Sequence, residues 1–260
     1  MGIKARDVSG ALWTWQMSRC QERGVGRDLA AMGIGGSKLR AIKGIIYDFD
    51  GVIADSEVLA NHVLAEAITA IGVPTTFEDS ITLYMGKRWV EIDEAIVAAT
   101  GRPVPERFLD DMRRALDARF REALKPVPGV EDFIRRFAAL PRCIASSSSP
   151  DRLALSMDVI GFGHHFPDTI FSATLVPRGK PHPDIFLYAA DKIGVAPNNC
   201  LVIEDSLSGV RAGVAADMCV VGLCAGAHIR DGHAERLRDA GASQVFHTWP
   251  EVAEFLASRL

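Results

Sequence analysis

Four short groups of polar residues stand where this 260-residue chain could do chemistry: Asp48 and Asp50; Ser146 to Ser149; Lys180 within Gly179-Lys180-Pro181; and Glu204-Asp205-Ser206. The first pair directly follows a short apolar run, Ile42 to Tyr47. Two carboxylates at the end of a buried strand are costly unless a partner or a cation offsets their desolvation. Hard carboxylate oxygens suit Mg²⁺. A lysine and a serine hydroxyl suit phosphate oxygens. An unhindered carboxylate can also act as a nucleophile, as in enzymes that form an aspartyl phosphate.

Taken singly, most of these residues have plainer explanations. Ser146 to Ser149 could cap a helix starting near Pro150 and Asp151. Asp205 could cap a helix starting at Leu207. Lys180 could be a solvated surface charge, and His182, between Pro181 and Pro183, a turn residue. The Asp48/Asp50 pair is the exception, because its position past a buried strand favours function over packing. The four groups together make the stronger case.

The elements that must position them alternate strand and helix. The run Ile42 to Tyr47 reads as a buried parallel strand. Further strands are expected at 143–146, 169–172, 200–204 and 218–222, with an edge strand at 244–246. Helices separate them, for example 185–193 and 207–216. Repeated β-α-β units predict an α/β fold, a Rossmann-like parallel sheet with helices on both faces. In such a sheet the carboxyl ends of the strands share one edge, where ligands bind. Residues 56–125 carry no strand signal. Leu59, Val63, Ala67 and Ile71 recur every four residues, and Ile92 to Ala99 and Phe108 to Phe120 suggest two further helices. The block is too long for a simple crossover and predicts an inserted helical subdomain, leaving 41–55 and 126–260 as the α/β core.

The totals narrow the classes. A hydrophobic fraction of 48% and a charged fraction of 24% are those of a globular protein. A net charge of −4 argues against a general nucleic-acid binder. No apolar run reaches the roughly 18 residues that a membrane span needs. Cys20, Cys143, Cys200, Cys219 and Cys224 are scattered and form no C-x-x-C pair, so reduced thiols and a cytoplasmic location are expected. Residues 1–40 are rich in glycine and net positive, with seven Lys and Arg against three acids. They are expected to be a poorly ordered extension, or a misassigned start with Met32 as the true one; Trp13 and Trp15 could instead anchor a contact.

In chain order the four groups resemble the motifs of the haloacid-dehalogenase-like hydrolase superfamily: D-F-D-G-V-I-A-D-S-E at Asp48 to Glu57, I-A-S-S at Ile144 to Ser147, G-K-P-H-P-D-I-F at Gly179 to Phe186, and I-E-D-S at Ile203 to Ser206. The resemblance covers roughly Ile42 to Phe255. It is to the branch of sugar-phosphate phosphatases and β-phosphoglucomutases, whose helical cap sits where the helical block lies here. The resemblance implies that Asp48 attacks phosphorus and becomes a phosphoaspartate. Asp50 would protonate the leaving alkoxide and then activate water. Ser146 and Lys180 would hold the phosphoryl oxygens, with Ser147 beside them. Mg²⁺ would be held by Asp48, the backbone carbonyl of Asp50 and Asp205, with Glu204 assisting.

The expected activity is therefore Mg²⁺-dependent hydrolysis of a small phosphorylated metabolite, a sugar phosphate or a phosphorylated sugar acid, with no nucleic-acid or membrane partner and a monomer or weak homo-oligomer as the working form. Substrate choice would lie in the turn Gly86-Lys87-Arg88-Trp89, where Lys87 and Arg88 could meet a second anionic group. Lys87 is also placed, by location only, as the cap lysine of a phosphonate-cleaving enzyme. Two alternatives stand beside hydrolysis. A mutase resembling β-phosphoglucomutase would ordinarily carry a histidine where this chain has Ala60, the nearest being His62. A regulatory module that only accepts phosphate on Asp48 would be about half this length and would have no use for Asp50.

Overall fold

The computed structural model describes residues 41–260 apart from Gly86 and Arg88. The expectations for residues 1–40, including Trp13, Trp15, Cys20 and Met32, lie outside the described residues, as does Arg88 of the cap turn. The chain enters through β1 (Gly44–Tyr47), followed by α1 (Glu57–Ala70), α2 (Phe77–Leu83), α3 (Trp89–Thr100) and α4 (Phe108–Ala123). Then come α5 (Val130–Arg136), β2 (Arg142–Ser146), α6 (Pro150–Ile160), β3 (Ile170–Ser172) and α7 (Asp184–Lys192). The remainder is β4 (Cys200–Glu204), α8 (Leu207–Ala215), β5 (Cys219–Leu223), α9 (His233–Asp239), β6 (Gln244–Phe246) and α10 (Trp249–Ala257).

The strands form one six-stranded sheet in the order β3-β2-β1-β4-β5-β6, and every neighbouring pair is parallel. β1 is buried along its whole length, and its side chains alternate between two cores. Ile45 and Tyr47 face an apolar layer that includes Phe133, Leu153 and Trp249 from α5, α6 and α10. Ile46 faces the opposite layer, with Phe186, Val210 and Leu237 from α7, α8 and α9. Burial on both faces explains why β1 reads as a continuous apolar run.

Register brings the polar strand ends together. Tyr47 stands opposite Ile144 on one side and Ile203 on the other, so the residues after each converge at one edge. The strand order also reverses direction between β1 and β4, and that is the crevice where open α/β sheets bind ligands.

Helices α1 to α4 lie between β1 and β2, and Ile68, Tyr84, Ile92, Ile96 and Phe108 form an apolar cluster of their own. The stripe expected on α1 is only partly the buried one: Asn61, Val63, Ala65 and Ile68 are buried. The reason is that α1 serves two surroundings. Leu59 packs against the main core, whereas Ala67 and Ile71 pack on the separate cluster. Asn61 is buried because its Oδ1 accepts a hydrogen bond of 2.9 Å from Ser80 in α2. Helix α2 falls within the stretch expected to be helical, and its Thr76/Asp79 capping box is legible in the sequence. Cys143, Cys200, Cys219 and Cys224 are free thiols. No helix among the described residues is long and apolar enough to cross a membrane.

Candidate active site

The alternatives left open by the sequence are resolved by the helix caps. Ser149 caps α6, accepting a hydrogen bond from the Arg152 amide, with Pro150 at the first helical position. Ser206 caps α8, accepting from the Gly209 amide at 3.0 Å. Ser146 and Asp205 are thereby free of capping duty.

Three carboxylates meet at the strand ends. Asp48, Glu204 and Asp205 are all buried, and one oxygen from each lies within 4.8 Å of the others. The Asp48 amide still donates to the Ile203 carbonyl at 2.9 Å, so the parallel ladder itself fixes the backbone here. Two glycines permit the close packing. A Cβ on Gly51, whose φ is +79°, would fall 1.8 Å from Asp205 Oδ2; one on Gly209 would fall 1.6 Å from Glu204 Oε1.

Lys180 lies between two of these carboxylates. Its Nζ donates to Asp48 Oδ1 at 2.6 Å and to Glu204 Oε1 at 2.7 Å, with the ammonium side chain only 4% exposed. Burial works to discharge this lysine, but the two carboxylates outweigh it and hold the ammonium charged well above its usual range. The second Glu204 oxygen accepts from the amide and hydroxyl of Ser206. Asp48 and Asp205 are pushed well above the ordinary carboxylate range, first by burial and then by repulsion from Glu204. One lysine does not neutralise three buried carboxylates, so the cluster fits a divalent cation with a preference for oxygen ligands.

Asp50 has the opposite environment. Oδ1 accepts from Ser56 Oγ at 2.5 Å and from Arg152 Nη2 at 3.1 Å, and Oδ2 accepts from Ser148 Oγ at 2.6 Å. Burial works to raise its pKa, but Arg152 and the two hydroxyls outweigh it and hold Asp50 below the ordinary range. The Arg152 guanidinium in turn lies 5.1 Å over the Phe120 ring of α4. Ser56 makes no capping bond to α1 and spends its hydroxyl on Asp50 instead. Two carboxylates separated by one residue are thus held in contrasting protonation environments.

A cavity of about 530 Å³ opens onto these groups, lined among others by Asp48, Asp50, Ser147, Lys180 and Asp205. Ser146 is 1% exposed and is not among the lining residues. Its Oγ accepts from the Ser148 amide at 3.0 Å, so it shapes the turn on which Ser147 and Ser148 reach the cavity. Glu57 also lines the cavity, its carboxyl raised by burial and by Asp50. Lys87 is exposed and does not line it; from that turn, Met85 does.

Several lining residues escaped the sequence reading. His228 Nε2 stands 3.0 Å from Asp205 Oδ2. His233 Nε2 donates to the Asp205 carbonyl at 2.6 Å, holding the loop that carries the carboxylate. Arg211 and Arg236 line the far wall from α8 and α9. None of these had a local signal; only the hydroxyl and arginine pattern of Ser146 to Arg152 could have drawn attention to Ser148 and Arg152.

A family model described as haloacid dehalogenase-like hydrolase matches residues 42–217. Among curated proteins, the chain is 28% identical over 188 residues to 6-phosphogluconate phosphatase of Escherichia coli K12, covering 72% of this chain and 85% of that one. It is 27% identical over 179 residues to fructose-1-phosphate phosphatase YqaB of the same organism, covering 68% and 94%. Among solved structures it is similar to a conserved haloacid dehalogenase-like protein of unknown function from Agrobacterium tumefaciens C58, with a TM-score of 0.76 and 34% identity over 84% of this chain and 98% of that one. The four motif groups, the sheet that gathers them and these matches agree: the chain belongs to the haloacid dehalogenase-like hydrolases.

Proposed function

We propose that this protein is a cytoplasmic Mg²⁺-dependent phosphatase that hydrolyses a small phosphorylated metabolite, a sugar phosphate or a phosphorylated sugar acid, through a phosphoaspartate on Asp48. The observation that carries the reading is the contrast between Asp48 and Asp50. Asp48 faces Lys180 at 2.6 Å inside the acidic cluster, whereas Asp50 is turned to a separate set of donors. The names of the relatives 6-phosphogluconate phosphatase and fructose-1-phosphate phosphatase support the substrate class.

In this reading Asp48, Glu204 and Asp205, with the Asp50 backbone carbonyl, hold the cation. Bound there, Mg²⁺ would supply charge neutralisation for an anionic phosphoryl group meeting an anionic nucleophile. Lys180 does the same work from the protein side. Asp48 attacks phosphorus in line with the leaving alkoxide, the phosphorus–oxygen bond to that alkoxide breaks, and Asp50 delivers a proton that it must first take up with the substrate, since its donors hold it ionised in the free site. Asp50 then takes a proton from the water that attacks the phosphoaspartate. Ser147, which lines the cavity, would donate to the phosphoryl oxygens. Residues 56–125 act as a cap that excludes bulk water and opens for product release.

The mutase reading gains nothing from the geometry. His62 stacks on Phe77 with ring centroids 4.1 Å apart and does not line the cavity. A screen of phosphate release over sugar phosphates and phosphorylated sugar acids, with and without Mg²⁺, tests the proposal. Release that needs Mg²⁺ and is lost in Asp48→Asn is the expected result. Activity surviving in that variant, or substrate isomerised without free phosphate, would overturn it.

A further inference from the structure

The cavity lining includes two arginines that the reaction does not use. Its lining includes Arg211 from α8, Arg236 from α9 and Ser208. The two cations differ from the others at the site in having no counter-charge. Lys180 is committed to Asp48 and Glu204. Arg152 is committed to Asp50. Arg211 has no side-chain hydrogen bond or ion pair with any described residue. Among the described residues, Arg236 donates only to His233 Nδ1, at 3.3 Å. Because the other nitrogen of His233 donates to the Asp205 carbonyl, that ring accepts from Arg236 as a neutral imidazole and cancels none of its charge.

By contrast, Arg178 pairs with Asp184 and Arg119 with Glu66. What sets the exposed Arg211 and Arg236 apart is that they line the reaction cavity. Four carboxylates line the same cavity, Asp48, Asp50, Glu57 and Asp205, together with Lys180, which is committed to Asp48 and Glu204. Among the described lining residues, a second negative charge on the substrate would find uncommitted cations at Arg211 and Arg236. A monoanion suits the setting better than a second phosphate, whose higher charge would meet the same four acids. Guanidinium forks also match a carboxylate in two-point hydrogen bonds.

Resting on the phosphatase reading above, we propose that Arg211 and Arg236 form a subsite for the carboxylate of the substrate, so that the preferred substrate class is the phosphorylated sugar acid rather than the neutral sugar phosphate. The second anion is then read by the α/β core and not by Lys87 in the cap turn, which lies outside the cavity lining.

The test uses a matched set: 6-phosphogluconate, glucitol 6-phosphate, which has an alcohol in place of the carboxylate, and glucitol 1,6-bisphosphate. In the double variant Arg211→Ala/Arg236→Ala, the ratio of kcat/KM for the acid over the alcohol should fall by about tenfold or more, mostly through KM, the size expected for losing charged hydrogen bonds. Lysine at both positions should restore part of the preference, which a mere folding defect would not do. An unchanged ratio would overturn the proposal, and a loss confined to the bisphosphate would overturn the choice of carboxylate. Calorimetric binding of the same three compounds to Asp48→Asn, with and without the arginine changes, gives the answer without turnover. If that protein prefers the acid through its arginines while wild type releases no phosphate, the phosphatase reading fails and the subsite stands.

Discussion

Replacing Arg152 by alanine should injure stability and proton transfer together, because this side chain joins Asp50 to α4. Its guanidinium donates to Asp50 Oδ1 at 3.1 Å, with the two side chains 26% and 16% exposed. A hydrogen bond to a charged group contributes about 1.5–3 kcal/mol, and partial exposure places this one near the lower end. Loss of the contact with Phe120, at 5.1 Å, adds roughly 0.5–1 kcal/mol. Together, a destabilisation of about 2 kcal/mol corresponds to a fall in Tm of roughly 4–8 °C for a domain of this size. The kinetic effect should depend on the leaving group. A positioned general acid contributes about 10²–10⁴-fold, and an alkyl phosphate needs that proton, whereas p-nitrophenolate leaves without it. The Arg152→Ala variant should therefore lose about 10²-fold in kcat on an alkyl phosphate and much less on p-nitrophenyl phosphate. Thermal melts and paired kinetics measure both. Equal losses on the two substrates would refute the positioning argument. So would a coupling below about 0.5 kcal/mol in a double-mutant cycle with Asp50→Asn, since groups in direct contact should couple by more.

Lys180→Met should destabilise the protein by about 3–5 kcal/mol, because it leaves Asp48 and Glu204 buried without their shared cation; denaturant melts with and without Mg²⁺ will show whether the metal recovers part of the loss. Gly209→Ala places a Cβ 1.6 Å from the fully buried Glu204 carboxylate and should cost about 1–3 kcal/mol, while Gly163→Ala, with nothing within 4 Å, should be close to neutral. The raised carboxyls of Asp48 and Asp205 bind protons more tightly folded than unfolded, so without a divalent cation their ionisation opposes folding, and stability falls as pH rises above the unfolded carboxylate range of about 4. Asp50 works the other way, its depressed pKa giving stability that is present above that range and lost as pH falls through the folded value. The increase in Tm caused by Mg²⁺ should accordingly be larger near pH 8 than near pH 5.5; an increase independent of pH would place the metal elsewhere.

The sheet and its edge were legible because buried parallel strands write themselves as short apolar runs, as in β1 and β4, and because a parallel register then aligns whatever follows them. Asp48, Lys180, Glu204 and Asp205 are thereby expected in one place from the sequence alone. The serine run shows where local reading stops. Four consecutive serines have equal claims in sequence, but the turn buries Ser146, turns Ser148 toward Asp50 and gives Ser149 to the α6 cap. Arg152, Arg211 and Arg236 were invisible for a different reason. Each sits on a helix whose rotation against the sheet decides which face meets the cavity, and that rotation is set by packing against α4, β5 and the second apolar core rather than by spacing. Lys87 is the converse case: a basic turn residue suggests an anion site, but its side chain is exposed and outside the cavity lining.

The central claim is that Asp48 carries the phosphoryl group. Rapid acid quench during turnover of a ³²P-labelled substrate, followed by peptide mapping, tests it most directly. A hydroxylamine-labile label on the peptide containing Asp48, absent from Asp48→Asn and long-lived in Asp50→Asn, is the predicted result. Steady phosphate release with no label on Asp48 would contradict the account.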